Sequence, residues 1–503
     1  MASACVLIFL LAAFFHQGDC VLKLATNFGD HMVLQRAPQQ AVLWGTADTE
    51  GDTITAKITG QGSQGTPTTA KVSHGKWKLE LPAQTGKGPF TVDVSSSDGH
   101  VMLHDVLFGD VWLCSGQSNM YFGFSSVINA TAELHHALQF PDIRFTRAKR
   151  VQSATPQDTM AFDIPWTGPN SRYIGSSSAV CWLFAEYLHE KLKYPIGLVE
   201  SSWGGTPVEA WSPPQVFTAC AHHNKRGPGA HGVLYNAMIH PLLSTTLYGA
   251  LWYQGEANSG HPELYGCEIS NMVKQWRTQF HQQSLQQTSN SFPFGYVQLA
   301  GNAHNSMVGG FPGERWAQTA NYGYNPNPAM PKTFMAVAMD LPDFNSPRGT
   351  IHPRYKQDVA QRLVLGALNV AYGQKDVVFQ GPFPSAFMEG QHTLEIQYDH
   401  GHAKLTVRNN KGFEVCCSVS NMTHCDDRHD AWVAALLTKH QTSLVTLGTS
   451  RCGTRHVVGV RYEWRTSPCD FKQCSLYDSA SGLPAPPYIS HDLKPNQGPE
   501  IIG

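Results

Sequence analysis

The stretch Val111-Trp-Leu-Cys-Ser-Gly-Gln-Ser-Asn-Met120 decides how the chain is read. Its first four residues form an apolar run of the kind that fills a strand buried on both faces of a parallel sheet. Gly116-Gln-Ser-Asn-Met120 follows directly. Open α/β sheets bind ligands at the carboxyl ends of their strands, where Ser118 falls. A serine on a tight turn exposes its hydroxyl while its own N–H faces a developing oxyanion. The competing reading is a helix N-cap, with Ser118 or Asn119 satisfying free N–H groups. The pattern is not Gly-x-Ser-x-Gly, which argues against an α/β-hydrolase elbow.

Outward from this stretch, similar apolar runs recur at Ile196–Val199, Gly249–Tyr253, Gly295–Leu299 and Phe334–Ala338. Helical patterns lie between them: Val180, Leu183, Phe184, Tyr187, Leu188 and Leu192 share one face, as do Val359, Leu363, Gly366, Ala367 and Val370. Strands alternating with helices predict an α/β domain with a parallel sheet over about 106–375. Residues 21–105 read instead as short alternating strands separated by Gly, Pro and Ser clusters, the signature of a small β-sandwich. Strand patterns return in 376–503, which is cysteine-rich and has a Pro-rich segment at Leu483-Pro-Ala-Pro-Pro487.

Two more strand ends carry polar motifs. Ser201-Ser-Trp-Gly-Gly-Thr206 supplies Gly204 and Gly205, whose backbone N–H groups can approach a ligand closely. Trp252-Tyr-Gln-Gly-Glu-Ala-Asn258 offers amide donors from Gln254 and Asn258. A serine hydroxyl needs a proton acceptor near neutral pH, and among 24 histidines His352 in Gly349-Thr-Ile-His-Pro353 has the best setting. It follows the strand Phe334–Ala338 by a loop and opens the next helix.

Together GQSNM, WGGTPVEAW, WYQGEAN and IHPR resemble the SGNH-type hydrolases, and closely the sialate O-acetylesterases, over nearly the whole chain after residue 20. The resemblance implies a three-layer catalytic domain, hydrolysis of O-acetyl esters on sialic acids, notably at the 9-position, and no cofactor or metal. It implies Ser118 as nucleophile, His352 as base, and an oxyanion hole from Ser118, Gly204 or Gly205, and Gln254 or Asn258. The SGNH pattern has an aspartate three residues before the histidine, where this chain has Gly349. Asp340 is the expected third member, with Asp343, Glu256 and a main-chain carbonyl of residues 349–351 as alternatives. Arg354 and Glu256 are expected in substrate binding. A sialate carboxylate calls for a cation, for which Arg315, Arg348 and Arg354 are the candidates. The rival readings are an acetylxylan-type esterase and a sugar-binding protein without activity.

The apolar run Cys5–Phe15 is too short to span a bilayer, and Gly18 and Cys20 place small residues where a signal peptidase cuts, so residues 1–20 read as a signal peptide. Removing Cys5 and Cys20 from twelve cysteines leaves ten, an even number that predicts disulfides in an exported protein. There is no Cys-x-x-Cys pair to suggest zinc. The sequons at Asn129 and Asn421 agree with passage through the secretory pathway, and the resemblance implies a lysosomal or secreted destination. A formal charge of -2 gives no case for nucleic acid, and no later segment is long enough to span a membrane.

Overall fold

The computed structural model describes residues 21–494 except 64, 221–229, 305–309, 419–423 and 426–431. The expected signal peptide and Asn421 therefore lie outside the described residues. The organising element is one long strand, β1, over Gly99–Gly116. Of its first seven residues Leu103 alone is buried, and the last eleven are all buried. The change follows Asp105, which takes a left-handed conformation (φ 52°) and accepts from Arg144 and bonds His31, both at 2.7 Å. The expected boundary at 105–106 thus marks a real change of environment, but it falls inside a continuous strand and not in a linker.

The amino-terminal part of β1 pairs with Phe90–Ser96, which pairs with Thr53–Thr59 and so with Thr68–Lys71. A second sheet joins Lys23–Leu24, Val42–Thr46 and Lys76–Glu80. Leu43, Trp77, Leu79, Ile54, Ile58, Val92 and Val94 are buried in the core these strands share, as the period-2 alternation requires.

The carboxyl-terminal half of β1 is the middle of the parallel sheet. The other strands are β2 (Ile143–Ala148), β3 (Phe162–Thr167), β4 (Ile196–Ser202), β5 (Gly249–Tyr253), β6 (Phe294–Gln298) and β7 (Thr333–Val337). Their order is β3-β2-β4-β1-β5-β6-β7, parallel throughout except for the antiparallel edge strand β3. Side chains alternate between two cores: Leu113, Val199, Trp252 and Tyr296 enter one, Trp112, Leu198, Leu251 and Val297 the other. Residues of Pro262–Gln283 pack in the first core, and those of Ala179–Leu192 and Lys356–Gly366 in the second. The result is the expected three-layer α/β architecture.

Beyond it, two four-stranded antiparallel sheets and a two-stranded ribbon make up the carboxyl-terminal part. All ten expected cysteines are paired: Cys114–Cys181, Cys220–Cys267, Cys416–Cys425, Cys417–Cys452 and Cys469–Cys474. Three of the five bridges staple the carboxyl-terminal sheets, and two lie in the α/β part. Their loops differ widely, from 67 residues for Cys114–Cys181 to 5 for Cys469–Cys474. Chain-entropy reasoning gives about 4 kcal/mol for the longer loop and about 2 for the shorter. The double variant Cys114→Ala/Cys181→Ala should therefore lose about 2 kcal/mol more than Cys469→Ala/Cys474→Ala in denaturant unfolding. Equal losses would contradict this ordering.

Candidate active site

Three strand ends meet at one level. Gly116 of β1 lies opposite Ser202 of β4 on one side and Tyr253 of β5 on the other. Gly116 has φ 136°, and a Cβ there would lie 2.2 Å from the Tyr253 carbonyl oxygen. Only glycine lets β1 end this close to β5 and turn at once into the short helix α1, Ser118–Tyr121. Ser118 is the first helical residue, so its N–H has no partner within the helix. Gln117, not Ser118, occupies the N-cap position, and its side chain makes no cap bond. It instead accepts from the Ala257 N–H at 3.2 Å, tying the turn to the segment after β5. The Ser118 hydroxyl is left free of capping duty.

It is directed at histidine. His352 Nε2 lies 2.9 Å from Ser118 Oγ, and His352 Nδ1 lies 2.8 Å from the Arg348 carbonyl oxygen. A carbonyl can only accept, so Nδ1 carries the proton and Nε2 is the acceptor for the serine hydroxyl. Burial pushes the His352 imidazole below its ordinary value; the Arg348 carbonyl opposes this, and the charges of Lys356 and Arg348 reinforce it. The ring stays neutral, and able to accept, at lower pH than an exposed histidine.

Asp340 does not touch this histidine, contrary to expectation. Its fully buried carboxylate accepts from Arg362 at 2.6 and 2.9 Å and from the Tyr477 hydroxyl at 3.1 Å. It joins the Lys356–Gly366 helix to the carboxyl-terminal part. Asp343 is also occupied, by a two-pronged pair with Arg354 at 2.6 and 3.0 Å. Glu256 accepts from Asn119 at 2.6 Å. Among the described residues no carboxylate bonds the imidazole; the main-chain carbonyl of Arg348 does, one residue before the 349–351 segment considered from the sequence.

The expected amide donors need the same correction. Gln254 is fully buried, and its two amide hydrogens go to the Thr206 carbonyl (3.2 Å) and Asn258 Oδ1 (2.7 Å). Asn258 turns its amide to Glu209 at 2.8 Å and accepts from the Val208 N–H at 3.0 Å. Both brace the Trp203–Val208 turn. Gly204 is brought to the serine: a Cβ there would lie 3.2 Å from Ser118 Cβ. Gly205, at φ 74°, has open space beside it.

Among the candidate arginines, Arg315 is fully buried and spends its guanidinium on the carbonyls of Leu299, Ala300, Arg465 and Thr466. It is a tie between the α/β and carboxyl-terminal parts. Arg354 gives its Nε–Nη2 edge to Asp343, which leaves its Nη1 side for any substrate contact. Arg348 is exposed, and its charge is felt by His352. Sequence reasoning missed Asn119 and Lys356, which lie against Ser118 and His352, and Tyr121, over whose ring Arg147 and Arg150 sit at 5.4 and 4.6 Å. A signal for Lys356 existed: a lysine in the first turn of a helix runs against the helix dipole. Among the described residues no group of three or more His, Cys, Asp or Glu side chains is placed to hold a metal ion.

Residues 108–344 match the family profile described as "Carbohydrate esterase, sialic acid-specific acetylesterase", and residues 385–492 match "Sialate O-acetylesterase C-terminal domain". The chain is 42% identical to the sialate O-acetylesterase of Homo sapiens, over 95% of this chain and 94% of that one. It belongs to the sialate O-acetylesterase family. The Mus musculus relative is 40% identical over 96% of this chain and 97% of its own length. A carbohydrate acetylesterase from Xanthomonas citri has a similar structure, with TM-score 0.79, 27% identity, and coverage of 93% of this chain and 99% of that one. The first family profile ends before His352, so the histidine is located by its geometry.

Two measurements check this geometry. The acid limb of kcat/KM should lie below the ordinary histidine value of 6.5, because a lowered pKa keeps the base neutral further into acid. An inflection at or above 6.5 would speak against His352 as the titrating base. Asp340→Asn should act on stability, costing about 3–5 kcal/mol by breaking a buried ion pair, with kcat of the folded fraction nearly preserved. A stable variant with kcat lowered a thousandfold or more, roughly the effect of losing a triad acid, would restore Asp340 to the catalytic set.

Proposed function

We propose that the chain removes O-acetyl groups from sialic acids, as its family does, through a serine acyl-enzyme formed at Ser118 with His352 as base. The observation that carries this reading is the 2.9 Å approach of a neutral, correctly tautomerised imidazole to a serine hydroxyl at the carboxyl end of the central strand. His352 Nε2 takes the hydroxyl proton as Ser118 Oγ attacks the acetyl carbonyl carbon. The N–H groups of Ser118 and Gly204 are the proposed donors to the tetrahedral oxyanion. The protonated histidine then gives its proton to the departing sugar oxygen, and the acetyl group stays on Ser118. Water, deprotonated by the same imidazole, attacks the acyl carbon; the bond to Ser118 Oγ breaks, the imidazolium returns its proton to Oγ, and acetate leaves. The Arg348 carbonyl holds the tautomer but carries no full negative charge, so this is a dyad with a main-chain orienter. No step calls for a cofactor.

Arg348 is the proposed partner for the sialate carboxylate, being the candidate arginine whose guanidinium has no hydrogen bond among the described residues. O-acetyl esters of the sialic acid, notably at the 9-position, are the proposed substrates. Five disulfides fit folding in an oxidising compartment. Residues 1–20 are the proposed signal peptide, and lysosomal or secreted delivery is the proposed destination. Asn129 is exposed and is a proposed glycosylation site, as is Asn421.

Ser118→Ala should abolish acetate release from 9-O-acetyl sialic acid in a protein that remains folded, and acetylated xylose should be a poor substrate of the unaltered protein. Full activity of the folded variant, or a preference for the xylose ester, would end this reading. Arg348→Ala should raise KM for the sialate about tenfold to a hundredfold relative to a neutral acetyl ester, the worth of a charge-assisted hydrogen bond. An unchanged ratio would move the carboxylate partner elsewhere, with Arg147 and Arg150 next in line.

A further inference from the structure

Besides the proton-transfer contact, a second bond joins the same two segments. Asn119 follows the nucleophile and Ile351 precedes the base, and Asn119 Nδ2 donates to the Ile351 carbonyl at 2.8 Å. The other Nδ2 hydrogen goes to Glu256 Oε1 at 2.6 Å, and Asn119 Oδ1 accepts from Lys356 Nζ at 2.6 Å. Asn119 is 1% exposed and Lys356 wholly buried. The ammonium also sits 4.9 Å over the rings of both Phe122 and Tyr253.

These bonds admit one orientation of the amide. Turned over, its oxygen would face the Ile351 carbonyl and the Glu256 carboxylate, and its NH2 would face the ammonium. The amide dipole therefore lies along the field of a cationic Lys356 and an anionic Glu256. Such a pair is costly. A buried ammonium in the first turn of a helix is opposed by desolvation and by the helix dipole. Glu256 Oε2 is buried with no hydrogen-bond partner among the described residues. An apolar pair would serve stability at least as well. The charged pair does what an apolar one cannot: it fixes the amide that holds the carbonyl next to the base.

We propose that Asn119 is a positioning residue for His352, clamped between Lys356 and Glu256, and that loss of the Lys356 proton releases the clamp and lowers turnover on the alkaline side. The inference rests on the assignment of Ser118 and His352 given above. The groups facing Lys356 are Glu256 and Tyr253 from β5 and the segment after it, Asp343 from the loop after β7, and His352 from its own loop. Burial pushes Lys356 down to about 7 against the pull of Glu256 and Asp343, and burial pushes Glu256 up. As Lys356 becomes neutral, Asn119 loses its charged donor, the tether to Ile351 slackens, and the imidazole is no longer held on Ser118 Oγ. Misplacement of a catalytic group by about 1 Å costs about a hundredfold in rate.

The test is kcat and KM for a neutral chromogenic acetyl ester across about pH 5 to 10, bracketing both limbs. The unaltered enzyme should show an alkaline fall in kcat. Asn119→Ala should lose about a hundredfold in kcat with KM nearly unchanged, and the alkaline limb should vanish. Lys356→Met should be slow at every pH. Lys356→Arg, whose charge persists in alkali, should recover turnover and carry the limb beyond the range. A flat alkaline profile for the unaltered enzyme overturns the proposal without any variant having to fold. So does an Asn119→Ala enzyme with normal kcat and an unmoved limb. Ser118→Ala is measured alongside: activity there sinks the underlying assignment, whereas an inactive Ser118→Ala beside a normal Asn119→Ala sinks the positioning role alone.

Discussion

The contact between Ser118 Oγ and His352 Nε2 joins residues 234 positions apart in the chain. Closing so long a loop has an entropic cost that one hydrogen bond cannot offset, so the contact exists only because the sheet already holds both ends. Gly116 brings β1 against β5, and β4 ends at the same level on the other side. The histidine comes from beyond β7, two strands past β5, and its loop has to pass the ends of both β6 and β5 to reach the serine after β1. The bond from Asn119 to the Ile351 carbonyl is what pins that crossing at its far end.

The same constraint explains how carboxylates are distributed around the site. Asp340 and Asp343 sit between the strand and the histidine, yet each is matched to an arginine, Arg362 and Arg354. A buried carboxylate left beside the imidazole without such a partner would have to be desolvated alone, which costs several kcal/mol. A main-chain carbonyl is neutral and already part of the turn, so the loop orients the ring without burying another charge. The exception is the Lys356–Glu256 pair, and its charges fall at the two ends of one amide.

The architecture also shows how the flanking parts are attached. β1 runs without a break from the sandwich into the catalytic sheet. At the other side Arg315 and the Asp340–Tyr477 bond tie the catalytic sheet to the carboxyl-terminal strands. These ties hold the carboxyl-terminal strands against the sheet and are structural: they leave the Ser118–His352 contact to its own loop.

Much of this was legible in the sequence. Apolar runs bounded by Gly-rich motifs are local signals, and a strand buried on both faces has few other ways to look. Ser118, His352 and Gly204, singled out from such motifs, are brought together by the fold. What the sequence could not decide was which polar side chains turn toward the site and which turn into the scaffold. Asp340, Gln254, Asn258, Arg315 and Arg354 have the right chemistry and the right neighbourhood, but their partners Arg362, Thr206, Glu209, Arg465 and Asp343 come from elsewhere in the fold. A buried polar group goes where its hydrogen bonds can be satisfied, and that is settled only when the distant segments are packed. Residue type and strand order were thus written in the chain itself; the orienter of His352 and the clamp on Asn119 were decided by tertiary structure, because hydrogen-bond satisfaction is a property of the assembled core.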